Sequence, residues 1–376
     1  MKIAVLKETA PGETRCAAIP ETVKKFIALG TDVAVQKGAG TSAGVSDADF
    51  EAAGASIGDR KAVLDRAGII LAVDAPDPES LSGASKDALL VGALDPLRRG
   101  DAVQGYAKAG LQALAMEWMP RITRAQSMDI LSSQSNLAGY KAVIDGAAAY
   151  GRAFPMMMTA AGTISPAKAF VMGVGVAGLQ AIATAKRLGA QVSATDVRSA
   201  TKEQIQSLGA KAIFVENIAG IEGEGQGGYA SEMSEEYRKA QAELVSGHIA
   251  KQDIVITTAL IPGKPAPRLI SAAQVATMRP GSVIVDLAAD AGGNVEGCVA
   301  GQTIEKHGVT IIGASNLARS LPADASALFA RNLHNFLSAF WDKDKNAPEL
   351  PDDDEIVKAI RLTNGGKIVS ERLASS

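Results

Sequence analysis

Along this chain, short apolar runs bounded by glycine and proline alternate with stretches of helical period. The first half opens with the strand-like KIAVLKE, the helical PETVKKFIALG and the strand-like TDVAVQKGAG, and so forms one β-α-β unit. AGIILAV, ALLVGAL and LQALAMEWM continue the series. From Ala169 the runs AFVMGVG, QVSATD, AKAIFV, DIVITTAL, GSVIVDLA and VTIIGAS predict a second set, of six buried parallel strands. VAGLQAIATAKRLG is the clearest of the helices between them, and a glycine ends it. Strands alternating with helices predict doubly wound parallel sheets.

The spacing predicts a helix from about Ser135 to Ala149 and a long amphipathic helix in LPADASALFARNLHNFLSAFW. The second is expected to return to the first domain. The fold class is therefore α/β, with two Rossmann-like doubly wound domains, a cleft between them, and the second inserted in the first. The expected boundaries are 1–132 plus 317–376 for the N-terminal α/β domain and 133–316 for the nucleotide-binding domain. A Gly-rich acidic stretch, ENIAGIEGEGQGG, predicts a mobile loop at about 216–232. The acidic PDDDE run near the end reads as a solvated terminus or a linker.

Composition narrows the classes. Only 15 of 376 residues are aromatic against 38 glycines, so the core is expected to consist of Ala, Val, Ile, Leu and Met. A net charge of −3 supplies no positive field for nucleic acid or an anionic membrane surface. Cys16 and Cys298 lie far apart without a secretory signal, the pattern of reduced cytoplasmic thiols. No apolar stretch approaches the roughly 20 residues that span a bilayer, and no metal site is expected.

The strongest chemical signal is Gly173-Val174-Gly175-Val176-Ala177-Gly178 between a strand and a helix. Gly173 suits the tight turn, Gly175 lets the backbone approach a pyrophosphate, and Gly178 allows close packing at a helix N-terminus that attracts negative charge. Asp196 ends the next strand 18 residues after Gly178, where a carboxylate accepts from an adenosine ribose. The same carboxylate repels a 2′-phosphate, which favours NAD over NADP. Arg198 is the dissenting residue: it can neutralise a phosphate, or pair with Asp196 or the pyrophosphate. Leu260 and the following IPGKPAP are expected to line the carboxyl edge of the strands.

A dehydrogenase that moves a proton with its hydride needs a positioned acid or base. His248, His307 and His334 fall in structural or solvated contexts, and none is an attractive base. The polar stretch from Arg121 to Asn136 lies at the predicted domain junction. There Arg121 can clamp an anion, Gln126 and Ser132 can bond a carboxamide, and Asp129 can orient Arg121 or Gln126. The competing interpretation is a loop with helix caps at Ser133 or Ser135.

MPRITRAQSMDILSSQSNLAGYKAVIDGA, AFPMMMTAAGTISPAKAFVMGVGVAGLQAIATAKRLGA, ATDVR, GGYA and ITTALIPGKPAP together closely resemble one family. It is the NAD(H)-binding component, domain I of the alpha subunit, of the proton-translocating NAD(P) transhydrogenases. The resemblance implies direct hydride transfer between NAD(H) here and NADP(H) on a partner domain, coupled to proton translocation by membrane-spanning subunits. It implies that Arg121, Gln126 and Asp129 form the loop beside the nicotinamide, with Ile122, Thr123 and Ser132 as further nucleotide contacts. Gly173, Gly175, Val176 and Gly178 match the pyrophosphate turn, and Asp196, Val197 and Arg198 the ribose side. Gly228 and Tyr229 match the mobile loop, and Gln241 and Leu260 further contacts. A homodimer, peripheral on the inner face of the cytoplasmic membrane, is also implied. The family accounts for the absent base, because hydride passing from ring to ring transfers no proton to oxygen or nitrogen.

The chain also resembles alanine dehydrogenase, with Arg15, Asp290 and Asn316 matching that substrate site. Asp74 stands where that enzyme needs a lysine and Leu90 roughly where it needs a histidine, which argues against amino-acid oxidation. A non-enzymatic NAD-sensing module is the other alternative.

Overall fold

The computed structural model describes residues 1–215, 235–261 and 264–374. The chain divides into two units, Met1–Gln134 with Arg319–Ser376, and Ser135–Ala318. The first runs β1 (Lys2–Val5), α1 (Pro20–Ala28), β2 (Asp32–Gln36), α2 (Asp47–Ala52), β3 (Ser56–Gly58), α3 (Arg60–Leu64), β4 (Ile69–Asp74), β5 (Leu89–Ala93), α4 (Gly100–Lys108) and β6 (Gln112–Ala115). Its sheet has the order β3-β2-β1-β4-β5-β6, with every pair parallel. Strand side chains alternate between faces, so continuous apolar runs bury both. Ile3, Val5, Ile69, Leu71 and Val91 enter one cluster, and Ala4, Ile70, Ala72 and Leu90 the other.

α5 (Ile130–Ala149) begins in the first unit, and the division falls within it after Gln134. The second unit then has the hairpin β7 (Met157–Thr159) and β8 (Gly162–Ile164), then β9 (Lys168–Met172), α6 (Val176–Arg187), β10 (Gln191–Thr195), α7 (Thr201–Ser207) and β11 (Lys211–Ala212). After it come α8 (Glu235–Ile249), β12 (Ile254–Thr257), α9 (Ala272–Val275), β13 (Val283–Asp286), β14 (Thr303–Lys306) and β15 (Val309–Gly313). The order is β11-β10-β9-β12-β13-β15-β14, with β14 antiparallel to β15 and the other pairs parallel. The six parallel strands come from the six apolar runs. The antiparallel edge β14 carries the polar sequence TIEK, so it has no apolar run to announce it.

The chain returns to the first unit through α10 (Pro322–Ala339) and α11 (Glu355–Ile360). Phe329, Leu333, Phe336 and Leu337 of α10 and Ile356, Val357 and Ile360 of α11 pack with Val23 and Phe26 of α1 on the Ile3–Val5 face. The opposite face is covered by Val63 and Leu64 of α3 and by Val103 and Tyr106 of α4. The acidic run is solvated as expected, with Asp352, Asp353 and Glu355 exposed, but it is ordered: it forms a turn and the start of α11. Asp354 caps α11 by accepting the Ile356 and Val357 amides at 2.8 and 3.3 Å, and Asp352 pairs with the buried Arg361.

Candidate nucleotide site

In the second unit the glycine turn joins β9 to α6 at the centre of the sheet, where the strand order reverses between β9 and β12. Gly173 holds φ +97, and a Cβ there would stand 2.6 Å from the Thr258 hydroxyl. A Cβ on Gly178 would overlap the Gly173 carbonyl oxygen. The turn is therefore possible only with glycine at both positions. Gly175 is the N-cap of α6 and makes no side-chain cap, with nothing within 4 Å of where its Cβ would be. Val176 follows it at 39% exposure. An open glycine backbone ahead of a twelve-residue helix without a side-chain cap fits a pyrophosphate.

Asp196 follows β10 and is 8% exposed. Its Oδ2 accepts the Val174 amide at 2.7 Å, tying the end of β10 to the glycine turn that follows the neighbouring β9. The Arg198 amide and Nε both donate to Oδ1 at 2.9 Å, and Nη2 donates to Oδ2 at 2.9 Å. Burial alone would raise the carboxyl, but Arg198 and the two amides outweigh it and hold Asp196 below the ordinary carboxylate value. Four donors fill the in-plane lone pairs, so Arg198 must yield one of them before a ribose hydroxyl can bond there. Val197 is half-buried between them. Gln241 is half-buried on α8, and Leu260, after β12, is 47% exposed. Gly228 and Tyr229 lie outside the described residues, as does the whole of the 216–232 loop.

Two residues that support this edge gave no signal in the sequence. The Thr258 hydroxyl donates to the Gly173 carbonyl at 2.9 Å. Asn294, fully buried, accepts the Ala259 amide at 3.0 Å and donates to the Ala259 and Pro267 carbonyls at 2.9 and 2.8 Å. It braces the segment that carries Leu260. Thr258 lies within ITTALIPGKPAP but was not singled out there, and Asn294 is distant in sequence from the groups it holds.

In the first unit, Thr123–Met128 forms a 3-10 turn. Ala125 and Met128 are buried in the core, while Arg121, Thr123 and Gln126 are exposed and Ile122 is half-buried. Asp129 caps α5: its Oδ1 accepts the Ser132 amide at 3.0 Å and its Oδ2 the Ser132 hydroxyl at 2.5 Å. The helix thus starts at Ile130, ahead of the caps considered at Ser133 and Ser135, because Asp129 takes that role.

The Arg15 guanidinium is 7% exposed and is held by Glu13 at 2.8 and 2.7 Å and by Gln134 Oε1 at 3.0 Å. Arg319 bridges Glu13 and Asp74 at 2.8 and 3.0 Å. Burial would raise Glu13, yet Arg15 and Arg319 hold it below its ordinary value; burial, with Glu13 next, pushes Asp74 up. Asp74 therefore closes an internal ion-pair chain. In the second unit Asp290 Oδ2 accepts the Asn316 amide at 3.2 Å. His248 is packed between the Ser193 hydroxyl at 2.8 Å and the Phe170 ring, and His334 packs at a tilt against Phe26. Among the described residues no cluster of His, Cys, Asp and Glu could hold a metal ion. No described helix is long and apolar enough to cross a membrane.

Two family models match, the alanine dehydrogenase/PNT N-terminal domain over residues 4–138 and the C-terminal domain over residues 142–371. The first of the parts that make up the NAD(P) transhydrogenase alpha subunit of Rhodospirillum rubrum is 53% identical, with 99% of both chains covered. A solved transhydrogenase from Sinorhizobium meliloti is 51% identical with a TM-score of 0.90, over 98% of this chain and 100% of that one. A solved L-alanine dehydrogenase is 26% identical with a TM-score of 0.82, over 100% of this chain and 98% of that one.

Proposed function

Because the chain belongs to the alanine dehydrogenase/PNT family, and within it to the NAD(P) transhydrogenase alpha subunits, we propose that it holds NAD(H) for direct hydride exchange with NADP(H) on a partner subunit. The observation that carries this reading is the glycine turn locked to Asp196 at an open helix N-terminus. Bound nicotinamide supplies the hydride chemistry. The chain's own residues bind, orient and exclude water. Gly173, Gly175, Val176 and Gly178 receive the pyrophosphate, and Asp196, Val197 and Arg198 the adenosine ribose. Arg121, Ile122, Thr123, Gln126, Asp129 and Ser132 attend the nicotinamide end, and Gln241, Leu260, Gly228 and Tyr229 complete the contacts. Asp129, already bonded to Ser132, fixes that serine's hydroxyl and the first turn of α5.

Proton coupling belongs, in this proposal, to membrane-spanning partner subunits, with the chain peripheral on the cytoplasmic face. The 1–132 plus 317–376 and 133–316 division marks the N-terminal and nucleotide-binding domains. A homodimer is part of the reading; the exposed Met156, Met157, Met158 and Ile164 on the β7–β8 hairpin offer an apolar surface for it. Amino-acid oxidation fits less well. The arginine at its substrate position is already bound by Glu13, and Asp74 is engaged by Arg319.

The test is hydride transfer from NADH to NADP⁺ by membranes stripped of peripheral protein, with and without this chain. Restored transfer supports the proposal. Tight NADH binding without restoration on competent membranes overturns it, and an assay for alanine oxidation then separates a residual dehydrogenase from a nucleotide sensor.

A further inference from the structure

The turn that carries Gln126 lies against α10, some two hundred residues further along the chain. Asn332, 7% exposed, donates from Nδ2 to the Ser127 carbonyl at 2.8 Å, and its Oδ1 accepts the Ser133 hydroxyl at 2.7 Å. One buried amide thus ties both ends of the segment that contains Asp129 and Ser132. Asn335, one helical turn on, donates to the same Ser127 carbonyl at 3.0 Å. The other side of the turn is held by Arg124, bidentate to Asp354 at 2.8 and 3.1 Å. Gln126 itself stays exposed between these anchors.

We propose that Asn332 is a positioning residue for hydride transfer, setting Gln126 and Asp129 through the Ser127 carbonyl and the Ser133 hydroxyl. The inference rests on the reading that Gln126 and Asp129 attend the nicotinamide. Transfer between two rings depends steeply on distance and alignment, so a loop set by a buried amide controls rate more than affinity. A short turn has few backbone hydrogen bonds of its own, and the α10 amides supply the restraint it lacks. Asn332→Ala leaves Asn335 on the Ser127 carbonyl and the Ile130 carbonyl, 3.1 Å away, as a partner for the Ser133 hydroxyl. The variant therefore leaves no buried donor stranded.

The experiment compares wild type, Gln126→Asn, Asn332→Ala and the double variant on stripped membranes, with NADH affinity and thermal unfolding measured on each. Asn332→Ala is expected to slow transfer about tenfold or more while NADH affinity changes by less than about threefold. The double variant should be little slower than the worse single one, because both act on one loop. Slow transfer by Gln126→Asn with wild-type transfer by Asn332→Ala overturns the inference alone. Wild-type transfer by both removes the underlying reading and the inference with it. Transfer lost only in proportion to NADH affinity or folded fraction also overturns it. Should Asn332→Ala not fold, Asn332→Gln decides, since it keeps the amide and displaces it by one methylene from Ser127 and Ser133: slowed transfer at unchanged affinity supports the clamp, and wild-type transfer overturns it.

Discussion

Asp196, proposed above as a ribose contact, also has a structural task that the motif alone does not announce. Its position at the end of β10 was legible from the spacing to Gly178, but its four-donor environment was not, because the Val174 amide reaches it only after β9 and β10 pair. The carboxylate braces the turn through the Val174 amide, beside the ribose contact proposed for it. Asp196→Asn keeps the shape, removes the charge that repels a 2′-phosphate and puts an NH2 where an amide or guanidinium now donates. The expected result is weaker NADH binding, by about tenfold, and a narrower gap between NADH and NADPH affinity, read by fluorescence titration. An unchanged gap would remove Asp196 from nucleotide selection. Asn332 and Asn294 show the limit of reading single residues. Each is an ordinary asparagine in the sequence and acquires its meaning only from carbonyls that folding brings to it.

At the scale of elements, α6 depends on close approach to β9. Gly178→Ala sets a methyl against the Gly173 carbonyl, so the turn or the helix must shift. NADH binding should fall by at least about tenfold and the unfolding temperature by several degrees, measured by titration and calorimetry. Gly175→Ala has open space and serves as the contrast: its methyl meets no protein atom, so any loss of NADH affinity without loss of stability reports the ligand approach itself. The central strands were legible because both their faces are buried, which forces unbroken apolar runs such as IILAV and VIVD. Strand β3, with three residues, and the β7–β8 hairpin, with every residue exposed, carry no such constraint and gave no signal. That hairpin should be a contact surface if the chain dimerises. Met158→Asp, at a position 79% exposed, is expected to leave the unfolding temperature unchanged and shift sedimentation toward monomer. Sedimentation unchanged by the charge would exclude the hairpin from the interface.

The stability of the whole first unit is coupled to pH through a device used twice at the carboxyl edge of its sheet. Glu8, after β1, accepts the Val73 and Asp74 amides at 2.6 and 3.2 Å at the end of β4. Glu117, after β6, accepts the Leu94 and Asp95 amides at 3.2 and 2.5 Å beyond β5. In each case a carboxylate satisfies amides that the neighbouring strand leaves unpaired where the sheet ends. Burial outweighs those hydrogen bonds and pushes both glutamates up to about 7. The folded chain therefore binds more protons than the unfolded one between the ordinary glutamate value of 4.5 and about 7, and unfolding free energy falls as pH rises through that window. Glu13 and Asp196 work in the opposite sense: both are held below their ordinary values, and their contribution is lost only in more acid solution. Burial holds His248 and His334 below the ordinary imidazole value of 6.5, so they oppose the glutamates in the acid part of this window; maximum stability is thus expected between about pH 5 and 6.5, with a decline of up to about 3 kcal/mol per glutamate by pH 8. Glu8→Gln lowers stability at pH 5, because its NH2 faces an amide donor, but it flattens the decline. Denaturant unfolding at several pH values decides the matter. A Glu8→Gln slope between pH 5 and 8 as steep as wild type would show that the strand-end carboxylates are not the groups that titrate.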